Sequence, residues 1–173
     1  MTATEPTTQS ARQQFLDTFA HEHGTTMKVL RAYPKGKEGL KPAPKCKSAI
    51  DLAWVFAGEM GMLITGLTTG FDWSNPPKMP STPGSMDEVI AAFDKMYQQV
   101  ASTVSGMSEA QLTTETVAFP SGPGQMGHPT KLQFLWFVLC DQIHHRGQFS
   151  VYLRMAEGKV PSIYGPSADE PWM

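Results

Sequence analysis

Apolar residues return every three or four positions in four long stretches of this chain, and segments rich in proline and glycine part them. That spacing stacks side chains on one side of a helix, whereas a half-buried strand would need alternation. The first stretch covers about residues 10–32, with Phe15, Phe19, His23, Met27 and Leu30 aligned. The second covers about 48–67, with Leu52, Val55, Glu59 and Met62 in line. Ser85 opens the third, where a hydroxyl at the N-cap and Glu88 three residues on have capping-box form. Val89, Phe93, Met96 and Val100 share its stripe. The fourth covers about 131–156, with Thr130 as its expected cap and Gly158, followed by Pro161, placed to stop it.

Four amphipathic helices without a parallel-strand signal predict an all-α chain folded as a four-helix bundle. The long connections leave the winding order open. Residues 33–47 read as a basic loop and 68–84 as a Pro-rich surface linker. "TTETVAFP" is a candidate short extended segment, and "SGPGQMGHP" reads as a loop. Residues 1–9 are expected to form a flexible tail and 10–173 a single domain.

Composition closes off several functions. A formal charge of −2 without a basic block argues against a nucleic-acid surface. Two cysteines, Cys46 and Cys140, make no disulfide framework, so a reduced cytoplasmic setting is expected. The polar N-terminus lacks a signal-peptide core. The apolar run Leu52–Leu67 is broken by Glu59 and three glycines, and reads as too short and polar to span a membrane. Neither a serine elbow, a phosphate-binding glycine loop nor a paired-cysteine zinc pattern occurs. Chemistry, if present, belongs in the bundle interior.

The fourth helix carries polar residues where leucines would pack better. From Phe134, steps of four and three lead through Val138, Asp141, His145, Gln148 and Tyr152. Gln142, Arg146 and Phe149 lie on the other side, which leaves a solvent-facing alternative open. His145 can be a core histidine satisfied by Asp141, or the two can present ligands to one metal ion, since that spacing serves both. Glu59 is the only charge between Asp51 and Asp72. It either faces solvent beside Gly58 and Gly61 or is buried, and a buried lone carboxylate needs a cation. A metal between helices two and four would serve.

The other polar residues carry less. His144 lies 100 degrees off the stripe and is expected at a helix seam or subunit contact. His23 is a core or rim histidine or an extra ligand. Cys140 is expected to pack as a small apolar residue, and His128 to lie on the surface. Arg146 is expected in a surface or interface salt bridge, with Glu157 or a partner subunit, and Gly147 at a close helix approach or dimer seam. Tyr164 and Trp172 should pack the C-terminal tail against the bundle.

"HHRGQFSVYLR" with "AEGKVPSIYGPSADE", and the earlier "KSAIDLAWVFAGEMGML", resemble motifs of the DinB/YfiT-like superfamily, over about Phe15 to Glu170. The resemblance implies an up-up-down-down bundle, commonly a homodimer. It also implies a divalent metal, often nickel or zinc, held by one histidine of helix two and an H-x-x-x-H pair of helix four. The relatives with known roles transfer low-molecular-weight thiols such as bacillithiol or isomerise maleylpyruvate with mycothiol, so the resemblance implies a low-molecular-weight thiol as a candidate cofactor. Here His145 is retained, Asp141 stands where the first histidine of the pair is expected, and Val55 stands at the helix-two position. Glu59, one turn on, can substitute. Such an oxygen-rich set moves the preference towards manganese, iron(II) or magnesium, with nickel and zinc still accommodated.

The expected function is therefore a metal-dependent thiol transferase or hydrolase acting on a small molecule, with Glu59, Asp141 and His145 as ligands. Gln148 would orient a ligand, and Tyr152 would line the pocket as a proton donor or as packing. The alternative is a bundle with a decayed site that binds a small apolar ligand or a protein partner. In that case Glu59 and His145 would pair with each other or with Arg146.

Overall fold

The computed structural model describes residues 9–76 and 78–173. Eight of the nine residues expected as a flexible tail lie outside that range. The four long helices form where the apolar periodicity places them: α1 (Ala11–Arg31), α2 (Ala49–Thr68), α3 (Met86–Ser105) and α5 (Lys131–Met155). A short α4 (Glu109–Thr114) and two strands, β1 (Phe119–Gly122) and β2 (Gln125–Gly127), lie between α3 and α5.

Each helix starts at a hydroxyl whose oxygen accepts a backbone N–H of the first turn. Ser10 and Ser48 cap α1 and α2, and Ser85 and Thr130 complete capping boxes with Glu88 and Gln133. Ser108 does the same for α4 with Gln111. At the other end of α5 the left-handed position is filled by Glu157, at φ 65°, not by a glycine. Glu157 N–H donates to Arg154 O at 3.1 Å and Gly158 N–H to Leu153 O at 3.0 Å, which is the Schellman closure. Gly158 serves close approach instead: a Cβ there would run into the Leu153 side chain, the Pro34 ring and the Ala32 carbonyl oxygen.

α1 packs on α3 and α5, and α2 packs on the same two, so α1 and α2 sit diagonally across the bundle from each other. The core between them is aromatic and aliphatic, with Phe15, Phe19, Phe56, Phe93, Phe134 and Phe149 almost fully buried. α2 is long and apolar enough to cross a membrane by length and composition. Here its apolar residues fill the bundle centre, and ten residues of the helix, Glu59 included, are buried.

Three connections differ from expectation. "SGPGQMGHP" is not an open loop but closes a hairpin, with Phe119 paired to Gly127 and a bulge near the turn. The extended reading of "TTETVAFP" holds only in part, because its first two residues end α4. The Pro-rich linker is largely exposed but pinned to the bundle by two indoles. Trp73 Nε1 donates to Ala118 O at 2.8 Å, and Trp54 Nε1 donates to Pro80 O at 2.9 Å.

Arg146 is the largest correction. It is buried to 2 % exposure. Its guanidinium meets Glu22 Oε2 at 2.6 Å and donates to Thr26 Oγ1 at 3.3 Å and to the Tyr164 hydroxyl. The Tyr164 hydroxyl in turn donates to Glu22 Oε2 at 2.7 Å. The tail is thus tied to α1 and α5 through the buried Glu22–Arg146 pair, which the exposed Tyr164 meets with its hydroxyl and with its ring, whose centroid lies 5.1 Å from the guanidinium carbon. Trp172 stays exposed, with its indole N–H on Ser162 Oγ. Cys140 is exposed rather than packed, and Gly147 faces open space with no neighbour a Cβ would meet.

Candidate metal centre

Glu59 projects from the middle of α2, and Asp141 and His145 from successive turns of α5. Two helices packed side by side therefore bring all three side chains together, with ligand atoms within 4.8 Å of one another. His145 Nδ1 lies 2.7 Å from Glu59 Oε1. Glu59 is buried to 3 % exposure, so its solvent-facing alternative does not hold. Asp141 and His145 are half-buried.

Burial first, and the charge of Asp141 second, push the Glu59 carboxyl up to about 9. The nearby Gln142 amide opposes this without reversing it. Burial likewise pushes the His145 imidazole down, against the pull of Asp141. Without an ion, the pair at neutral pH is a carboxylic acid sharing its proton with a neutral imidazole, not an ion pair. Glu59 Oε2 is buried and has no hydrogen-bond partner. An orphaned buried carboxylate oxygen is rare and calls for an explanation. Two carboxylates and one imidazole supply donors for a divalent cation, and a cation would satisfy that oxygen while offsetting the crowding of Asp141 on Glu59. The residues present fit a metal.

The trio borders a cavity of about 570 Å³ between α2, α5 and the 71–80 linker. Val55 and Glu59 both line it, as neighbours one helical turn apart should. The remaining sequence candidates fall elsewhere. Gln148 is exposed on the outer face of α5 and donates to His144 Nε2 at 2.7 Å, so neither residue borders the cavity. The Tyr152 hydroxyl is engaged with Lys47 O at 3.1 Å. His23 is a rim histidine: Nε2 meets Asp94 Oδ1 at 2.9 Å, and its ring stacks on Tyr97 at 3.7 Å. His128 is exposed.

Gln142 is the residue sequence reasoning misplaced. It is buried, donates to Phe56 O at 3.4 Å and supports Glu59. Gln142, Arg146 and Phe149 are all buried, so the solvent-facing alternative for that side fails. α5 is covered on two sides, by α1 and by α2. The signal was present in the spacing of Leu135, Leu139, Gln142, Arg146, Phe149 and Leu153, a second stripe as regular as the first.

Comparison with known proteins agrees with this architecture. A DinB-like protein of Bacillus cereus ATCC 10987 superposes with a TM-score of 0.72 at 24% identity, over 87% of this chain and 95% of that one. A DinB-like protein of Bacillus subtilis gives 0.66 at 18% identity, over 86% and 96%. Likeness at that identity establishes the fold alone. A curated relative, the uncharacterized protein YrdA of Bacillus subtilis (strain 168), is 50% identical over 36 residues, 21% of this chain. The match spans about a fifth of that relative's length, 22%. The DinB family model matches residues 5–172, nearly the whole chain, and the chain belongs to the DinB family.

Proposed function

We propose that this chain is a divalent-metal-dependent enzyme acting on a small molecule, with Glu59, Asp141 and His145 as the metal ligands. The observation that carries the reading is the orphaned Glu59 Oε2, buried within reach of a second carboxylate and an imidazole at the edge of a cavity. A bound divalent ion supplies Lewis acidity, which polarises an electrophile or lowers the pKa of a coordinated water or thiol. Thiol transfer and hydrolysis are reactions that this chemistry serves.

The protein's own residues set the terms. Glu59 must give up its proton to bind the ion, and Gln142 supports the resulting carboxylate. Asp141 contributes charge, and its half-exposed position leaves the ion's remaining coordination open to the cavity. A second reading, a bundle whose site has decayed, draws on the 2.7 Å contact between His145 and Glu59, because a pair that satisfies itself needs no ion. That contact leaves Glu59 Oε2 unsatisfied, which favours the metal.

Elemental analysis of protein purified without a histidine tag separates the two. The metalloenzyme reading expects about one manganese, iron, nickel or zinc ion per chain after dialysis, lost in both Glu59→Ala and His145→Ala. Wild-type protein that stays metal-free after reloading, or variants with undiminished occupancy, would refute it.

A further inference from the structure

The cavity beside the trio restricts what can enter it. Its wall is built from Trp54, Phe71 and Trp73 and from the thioethers of Met62, Met79 and Met96. The few polar handles among the wall residues are already used. Both indole N–H groups are held by backbone carbonyls, of Pro80 and Ala118. The Thr65 hydroxyl donates back to Gly61 O at 3.0 Å. The remaining charged groups are the carboxylates of Glu59 and Asp141 and two exposed lysines, Lys47 and Lys78.

A ligand inside can therefore make polar contacts at the trio and at the lysines, but nowhere along the wall. Every hydroxyl, amide or phosphate on its body would lose water without gaining a partner, which costs on the order of 1–3 kcal/mol per group. Flexible methionines and pinned indoles, by contrast, suit a flat apolar body. The glycines of α2 shape the space: Gly58 admits the Met79 thioether where a Cβ would stand, and Gly61 lies opposite the Met96 methyl.

Resting on the metal-site reading above, we infer that the substrate is a flat apolar or aromatic molecule carrying one terminal anionic oxygen group, which meets the metal while the ring lies between Trp54, Trp73 and the methionines. Polyhydroxylated metabolites, and molecules that carry phosphate along the body rather than at the end, are excluded as occupants of this cavity.

The test is a titration of zinc-loaded and metal-free protein with 2-naphthoate, followed by quenching of tryptophan fluorescence, with gluconate as a hydroxylated carboxylate control. Metal content is measured in parallel. The inference expects saturable naphthoate quenching and at least about tenfold weaker binding of gluconate. Gly61→Leu, which fills the cavity from α2 and raises helix propensity, should weaken naphthoate at least about tenfold while metal occupancy stays unchanged. Val55→Phe offers a second filled cavity if the first variant does not fold. Equal binding of gluconate, or naphthoate affinity indifferent to both filled cavities, overturns the inference even where metal is retained. Naphthoate binding that the filled cavities abolish in a chain retaining no zinc upholds the apolar pocket and refutes the metal reading instead.

Discussion

A carboxyl group held at 3 % exposure beside a second carboxylate keeps its proton far above the ordinary range, and this sets how the site responds to pH. Between the usual carboxylate value of 4.5 and about 9, the folded metal-free chain holds a Glu59 proton that the unfolded chain has lost. Stability conferred by that proton is present at low pH and is lost as pH rises through this window, by at most about 1.4 kcal/mol per pH unit. His145 and His23 are shifted down, so just below 6.5 the unfolded chain holds their extra protons and stability rises with pH. Above 6.5 only the Glu59 slope remains. Urea unfolding of metal-free protein should therefore show lower stability at about pH 8.5 than at about pH 7, and Glu59→Gln should flatten that difference. An unchanged slope in the variant would contradict the assignment. Metal binding displaces the same proton, so affinity should increase with pH over this range. At this scale Asp141 and His145 were legible from their spacing, and Glu59 from being the one charge in an apolar stretch. Gln142 was legible in principle from the second stripe through Leu139 and Phe149, whereas Glu22, set between His21 and His23, carries no sign of which side will be covered.

At the scale of elements, the helix boundaries were legible because hydroxyl caps and apolar periodicity are local properties. The end of α5 was misassigned by one residue. Gly158 has the composition of a left-handed cap, yet Glu157 takes that conformation at φ 65°, because the crowding of Leu153 and Pro34 requires the missing side chain at 158. A non-glycine residue there is strained, so Glu157→Gly should raise stability by about 1 kcal/mol. Gly158→Ala should lower it, since the added Cβ would run into Leu153 Cδ1 and stand 3.0 Å from Pro34 Cδ and 3.2 Å from the Ala32 carbonyl oxygen. Thermal unfolding of the two variants measures both effects; a destabilised Glu157→Gly would show that the left-handed turn is not strained. The hairpin Phe119–Gly127 and the short α4 escaped the sequence reading for a different reason. Strands of three or four residues are too brief to show a period, and their pairing is decided by the aromatic packing of Phe119 on Phe71, Trp73 and Phe134.

For the whole molecule, the buried Glu22–Arg146 pair and the exposed Tyr164 that bonds to both join the first helix, the last helix and the tail. The three lie 124 and 18 residues apart along the chain, so no local pattern could have paired them. Removing one partner leaves the other charged and dry. Arg146→Met should cost about 3–5 kcal/mol, and Tyr164→Phe about 1 kcal/mol, measured by urea unfolding. A loss in Arg146→Met as small as that of an exposed ion pair would show that the network is solvated. α2 packs against the α5 so anchored, and this packing sets Glu59 against Asp141 and His145. The most direct test of that arrangement is anomalous diffraction from crystals grown with manganese or zinc. The account predicts one peak per chain, within coordination distance of carboxylate oxygens of Glu59 and Asp141 and of a His145 ring nitrogen. A chain whose only anomalous peak lies away from these three residues, or that shows none at saturating metal, would contradict it.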